Sequence, residues 1–264
     1  MTESGQPPIR LERDGDVAVL VLDDPPLNLF TEETFTAMRA ARDEVAGSDA
    51  RAMVFRAEGD LFTGGVDVGR VFKDVSGGEE GARLAADGIR ELQAFESLEV
   101  PTLALVHGLC LTAGLEASLG CDMIWAADDA RFGLVERVVG LTPFGGGVQR
   151  MAERAGPARA REFVMTGGLY DAEKMLDWGV VNRVLPAADL VEKGMKFARE
   201  LAAGPTLAHG ATKRLVRAYL DGGVAAADAT VPEIAGPLFD SEDLKNAVES
   251  FLADGPGKAT FEGK

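Results

Sequence analysis

The sequence predicts an α/β sheet fold that carries a helical C-terminal region. Short apolar, strand-like runs alternate with amphipathic helical stretches through the first two thirds of the chain, the pattern of βα-type units. The remainder reads as helix, punctuated by Gly-Pro and Gly-Gly pairs. With 264 residues the chain can hold one large α/β domain, or one domain with a small appendage. The division expected is a core over residues 1–200 and a helical region over 201–264.

Val17–Leu22 is a continuous apolar run, read as a buried strand that stops at Asp23-Asp24-Pro25-Pro26. Residues 31–46 place Phe35, Met38, Ala41 and Val45 on one helical face. Thr31 is the expected N-cap, and Glu32 and Glu33 suit the positive end of the helix dipole. Residues 52–55 form a second short strand, which runs into a loop over 58–65. Residues 103–106 form a third, followed by His107-Gly108 and a small-residue turn, Thr112-Ala113-Gly114, from which a helix starts over 115–119. Residues 121–126 give a fourth strand, and Arg131-Phe132 a brief fifth. The glycine-rich turn over 141–147 precedes a helix near 148–154. Residues 171–178 read as a helix stopped by Gly179, and 180–185 as a strand stopped by Pro186. From Asp189 the pattern is helical, with breaks at Gly204-Pro205, Gly222-Gly223 and Gly236-Pro237. Ser76-Gly77-Gly78-Glu79-Glu80 reads as a mobile loop.

Composition narrows the function classes. Hydrophobic residues at 46% and charged residues at 27% are ordinary globular values. No apolar run reaches the roughly 18 residues of a membrane helix, so no membrane partner is expected. The start of the sequence lacks the basic-then-apolar order of a signal peptide, which makes a cytoplasmic protein the expectation. A net charge of −16 argues against nucleic acid, whose phosphates need a basic face. It gives no help with any other anionic ligand, whose site would need local Lys or Arg and helix N-termini. Cys110 and Cys121 lack CxxC spacing and the chain has two histidines, so buried free thiols and no metal site are expected.

Several familiar sites are excluded by their motifs. No GxGxxG follows the first strand, no GxxxxGK[ST] is present, and no GxSxG is present. Carboxylates and backbone groups are left to carry the chemistry. Glycine turns at Gly64-Gly65 and Gly108/Gly114 follow short apolar strands, so bare N–H groups could converge on one ligand oxygen. Glu116 and Glu136 lie inside otherwise apolar or small-residue stretches, surroundings that raise a carboxylate pKa and suit acid/base work. Taken alone, each has a bland alternative. Glu116 near a helix N-terminus could complement the dipole, and Glu136 could pair with Arg137 or Arg131. His107 alone reads as a satisfied, partly buried histidine.

Three segments in order resemble the enoyl-CoA hydratase/isomerase (crotonase) family. The first is Gly59-Asp-Leu-Phe62-Thr-Gly-Gly65-Val-Asp67-Val68. The second runs from Pro101 through His107-Gly108 and Ala113-Gly114-Leu115-Glu116 to Cys121-Asp122. The third runs from Arg131-Phe132-Gly133 through Glu136 to Pro143-Phe144-Gly145-Gly146-Gly147-Val148-Gln149-Arg150. Residues 172–186 also fit, and the resemblance extends from about residue 10 to the C-terminus. It implies a spiral of ββα units with a helical C-terminal region that builds a homotrimer or a dimer of trimers.

The site residues follow from the same resemblance. The N–H groups of Val66 and Ala113 would form an oxyanion hole for the enolate of an acyl-CoA thioester, each such donor being worth about 3–4 kcal/mol of barrier. Glu116 would orient and deprotonate water for attack at Cβ, and Glu136 would handle the α-proton. The substrate would lie along Gly64, Val66, Asp67, Val68 and Ala113, chiefly by backbone contacts, with no cofactor beyond the CoA of the substrate itself. Both carboxylates are present, which points to hydration of a trans-2-enoyl-CoA in fatty-acid chemistry. A Δ3-Δ2-enoyl-CoA isomerase needs chiefly the Glu136-type carboxylate, and a dehydratase, decarboxylase or hydrolase uses the same scaffold. A non-catalytic or RNA-associated member is disfavoured by the acidic charge. Four positions depart from the family pattern. Val66 stands for a small Ala and is expected to narrow the acyl pocket; Ala113 stands for a Gly, so its turn must avoid positive φ or bear strain. Val135 stands for a Pro and re-aims Glu136, and Phe144 stands for a small residue in the glycine-rich turn.

Overall fold

The computed structural model describes residues 7–264. The first six residues, part of the stretch read above for a signal peptide, lie outside it. The chain winds between two sheets. The larger holds β1 (Ile9–Asp14), β2 (Val17–Leu22), β3 (Ala52–Ala57), β4 (Thr102–Val106), β6 (Met123–Ala127) and β9 (Arg183–Leu185), side by side in that order. The smaller holds β5 (Leu109–Leu111), β7 (Arg131–Gly133) and β8 (Tyr170–Asp171). β1 pairs antiparallel with β2, and every later pair in the large sheet is parallel. β4 passes into β5 and then α4 (Thr112–Leu119); β6 passes into β7 and, past a 3-10 turn over Glu136–Val139, into α5 (Gly147–Ala155). These two turns of the chain each lay one strand in each sheet and close with a helix, the ββα spiral; after β2 and β3 the second strand is reduced to the isolated bridges Phe30–Val66 and Thr63–Cys110.

β2 shows why the central strands are continuous apolar runs. Ala18, Leu20 and Leu22 face a core containing Phe30, Phe55 and Phe62, while Val17, Val19 and Val21 face a second core. That second core is closed by Leu190, Met195, Ala198 and Ala202 of α8 (Ala187–Ala202). A parallel strand covered on both faces has no polar face to alternate with.

α1 (Glu32–Ala46) starts where its sequence says. The Thr34 N–H donates to Thr31 Oγ1 at 3.3 Å, and the Thr31 N–H donates to Thr34 Oγ1 at 3.2 Å, a reciprocal cap. The sequence reading missed other elements. β1 pairs through a two-residue turn at Gly15-Asp16, a Gly-Asp hairpin signal that the charged alternation of residues 9–14 obscured. The segment read as a mobile loop, 76–80, is instead the N-terminus of α3 (Gly77–Glu96), with Ser76 at the N-cap position and Leu92 and Phe95 buried. α6 (Pro157–Thr166) was also not anticipated; α7 (Ala172–Asp177) and Gly179 fall as expected. The strand read over 180–185 is hydrogen-bonded only over Arg183–Leu185.

Beyond α8 the chain is helical. α9 (Thr206–Ala235) bends at Gly223, whose φ of 75° and ψ of −173° interrupt the ladder at the expected Gly222-Gly223 break. A 3-10 turn over Gly236–Asp240 follows at Gly236-Pro237, then α10 (Glu242–Asp254). Arg51, just before β3, ties this region down: its guanidinium donates to Phe261 O at 2.7 Å, Gly204 O at 2.8 Å and Thr206 Oγ1 at 3.0 Å. Among the described residues no helix is long and apolar enough to cross a membrane.

Candidate active site

Two chain segments meet to make the backbone part of the site. Asn28, buried and with φ of 49°, donates to Glu58 O at 2.8 Å and Leu61 O at 3.1 Å, and accepts at its backbone oxygen from Thr63 Oγ1 at 2.6 Å. Phe30 N–H donates to Gly65 O and Asp67 N–H donates to Phe30 O, so residues 58–67 are sewn along 28–30. On the other side, Thr63 N–H donates to Leu109 O and Leu111 N–H to Thr63 O, which sets Gly64–Val66 beside the start of α4. Ala113 lies in the first turn of that helix, where N–H groups have no partner within the helix. The strain expected at Ala113 falls one residue earlier, at Thr112, whose φ is 45° while Ala113 is helical.

Glu116 lies one turn along α4 and is buried. It is not in the first turn of its own helix; instead its Oε1 accepts the N–H of Gly147, the first residue of α5, at 2.8 Å. Burial pushes the Glu116 carboxyl above its ordinary value, opposed by the N–H groups of Gly147, Gly145 and Gly146 and by the charge of Arg150. The glycines are a steric requirement: a Cβ on Gly145 would stand 2.7 Å from Glu116 Oε2, and one on Gly147 would stand 2.8 Å from Glu116 Cγ.

Glu136 opens the 3-10 turn after Val135. Its Oε2 is buried and has no hydrogen-bond partner among the described residues. Burial pushes its carboxyl up to about 7; its own N–H opposes this, and the nearby charge of Glu116 adds to it. The ion pairs considered for it do not form. Arg137 donates to Thr166 O at 2.8 Å, and Arg131 pairs with Asp171 at 3.5 Å.

Both glutamates face one cavity of about 530 Å³, which Gly64, Val66, Val68, Thr112 and Ala113 also line. Its remaining wall is largely apolar: Phe30, Phe35 and Met38 from α1 and its approach, Val71 and Phe72 from the short helix α2 (Val68–Val71) and its end, and Leu84, Leu92 and Phe95 from α3. Val138, Val139, Leu141 and Phe144 close it from the Glu136 side, with the Phe144 ring 6.0 Å from that of Phe72. Its charged lining is largely self-paired, Arg39 and Arg42 both bonding Glu91 at 2.8 and 2.6 Å. Asp67 is not part of this lining; its side chain caps α2 by accepting from Arg70 N–H at 3.0 Å. His107 Nε2 donates to Gly59 O at 2.9 Å, and Ser118 Oγ donates to Gly114 O, so both serve the framework. Cys110 and Cys121 are buried free thiols, and burial pushes the Cys121 thiol up to about 12. Sequence reading missed the α3 wall, the glycine amides around Glu116 and the part played by Thr112.

Comparison with known proteins gives a consistent result. The family model for enoyl-CoA hydratase/isomerase matches residues 12–264. A short-chain-enoyl-CoA hydratase of Clostridium acetobutylicum is 29% identical over 245 residues, covering 92% of this chain and 93% of that protein. A carnitinyl-CoA dehydratase of Salmonella typhimurium is 33% identical over 216 residues, covering 80% of each. The solved enoyl-CoA hydratase of Mycobacterium smegmatis superposes with a TM-score of 0.86 at 25% identity, covering 94% of this chain and 96% of that one. The enoyl-CoA hydratase of Bacillus anthracis, at 21% identity, shares the fold with a TM-score of 0.89 over 97% of this chain and 100% of its own.

Proposed function

Because the chain belongs to the enoyl-CoA hydratase/isomerase family, we propose that it catalyses the reversible addition of water to a trans-2-enoyl-CoA, as a hydro-lyase. One observation carries the reading: two carboxylates with raised pKa, one bare at Oε2 and one held by glycine amides, face a single apolar cavity beside Val66 and Ala113. In the hydration direction Glu116 is ionised and takes a proton from water as the water oxygen bonds to Cβ. The electron pair of the Cα–Cβ double bond moves toward the thioester oxygen, giving an enolate held by hydrogen-bond donors at the start of α4, beside Val66. Glu136, protonated, then delivers its proton to Cα. Dehydration runs the same steps backward, with Glu136 as base. CoA enters as part of the substrate, along Gly64–Val68, and no further cofactor is invoked.

The test is direct. Purified protein given crotonyl-CoA or a longer enoyl-CoA should lower the enoyl-thioester absorbance, and Glu136→Gln should reduce kcat by about a hundredfold or more while thermal unfolding stays close to wild type. Turnover unchanged in that variant sinks the assignment of the proton donor. An isomerase would instead shift the double bond of a 3-enoyl-CoA and tolerate Glu116→Gln. Assembly as a homotrimer or a dimer of trimers belongs to the same reading. Its support is the apolar surface along the C-terminal helices, where Tyr219, Val224, Phe239, Phe251 and Leu252 are exposed. Sedimentation equilibrium showing a monomer at micromolar concentration would refute it.

A further inference from the structure

Thr112 holds a place that the backbone geometry does not need it to hold. It is β-branched yet has φ of 45°, a conformation such residues rarely adopt. It is 8% exposed and lines the cavity. Its Oγ1 accepts the Val66 N–H at 3.1 Å, so one of the two donors of the expected oxyanion hole is already engaged. The hydroxyl sits where that N–H points, against Gly65; a Cβ on Gly65 would come within 2.5 Å of Thr112 Oγ1. The hydroxyl hydrogen has no acceptor among the described residues, while the adjoining Ala113 N–H lies in the open first turn of α4.

We infer that the Thr112 hydroxyl, rather than the Val66 N–H directly, is the donor that meets the thioester oxygen. A hydroxyl that accepts from an amide donates more strongly, so the Val66 N–H acts through it. The hole then consists of the Thr112 O–H and the Ala113 N–H, and Val66 polarises and aims the former. This rests on the acyl-CoA reading above and adds to it a side-chain donor that no glycine at position 112 could supply.

Three variants and one spectroscopic readout test it. Thr112→Ser keeps the hydroxyl and should retain wild-type kcat within a fewfold. Thr112→Val keeps the shape and loses the donor; kcat should fall about a hundredfold with KM changed by a fewfold at most. Thr112→Gly relieves the strain and bares the Val66 N–H, and kcat should still fall about tenfold or more. If Thr112→Gly instead matches or exceeds wild type in kcat/KM, the hydroxyl is a plug that moves aside and the inference is overturned. The readout independent of turnover is the infrared carbonyl band of carbonyl-labelled butyryl-CoA bound to each protein. It should lie lower in wild type and Thr112→Ser than in Thr112→Val and Thr112→Gly. Binding with an unchanged band across all four proteins overturns this inference alone. Failure of butyryl-CoA to bind the wild type overturns the acyl-CoA reading and this inference with it.

Discussion

Glu116 and Glu136 share a cavity and differ in what touches them. Glu116 is desolvated but surrounded by N–H groups that favour its ionised form, whereas Glu136 has a bare oxygen and a neighbouring negative charge that favour its protonated form. In the proposed mechanism that asymmetry separates the base from the acid. It also fixes a pH dependence. A carboxyl raised to about 7 holds its proton below that pH, so the hydration rate should fall as pH rises through about 7. Dehydration runs backward through the same singly protonated pair, Glu116 protonated and Glu136 ionised, so its kcat/KM should fall over the same interval. Initial rates of both directions between about pH 6 and 8 measure this, and a hydration rate flat over that range would contradict the assignment. At this scale the sequence was partly legible. Each glutamate had a bland reading on its own, and the order of three motifs made them a pair. Thr112 was not legible, because its role depends on a backbone angle and on an N–H that sequence does not place.

At the scale of elements, the glycine-rich turn and α3 decide the shape of the cavity. The turn carries Glu116 on its bare amides and sends Phe144 into the cavity wall beside Phe72. Phe144→Ala should therefore enlarge the acyl site. The ratio of kcat/KM for a longer enoyl-CoA over crotonyl-CoA should rise on the order of tenfold, the scale set by a few methylenes in an apolar pocket. An unchanged ratio across a chain-length panel would show that the acyl chain lies elsewhere. The central strands of the large sheet and α1 were readable because a doubly covered strand is uniformly apolar and a Thr cap precedes two glutamates. α3 was not, although Leu84, Leu92 and Phe95 have helical spacing, because Gly77, Gly78 and Gly81 crowd its first turns and imitate a loop. The missed helix supplies one whole wall of the cavity, so the cavity's extent could not be read from the motifs that identify its centre.

At the scale of the whole molecule, residues far apart in sequence are fastened by Arg51. One guanidinium bonds the region after α8, the first residue of α9 and Phe261, while Asp243 of α10 accepts from the N–H groups of Glu262 and Gly263 at 2.7 and 2.9 Å. Arg51→Ala removes hydrogen bonds from a charged donor and should lower stability by about 2 kcal/mol or more in urea unfolding, with faster protease cleavage near the C-terminus. A loss under about 0.5 kcal/mol would mean that solvent replaces these bonds without cost. The sheet has the opposite character. From β1 to β9 each strand of the large sheet lies beside the one that precedes it there, so a growing chain can add every strand to an edge already waiting. Synthesis from the N-terminus and assembly of the sheet then run in the same direction. Arg51, made early, has to wait for Gly204, Thr206 and Phe261, made much later; the molecule is built like a coil of rope whose early turn is tied off by a late one.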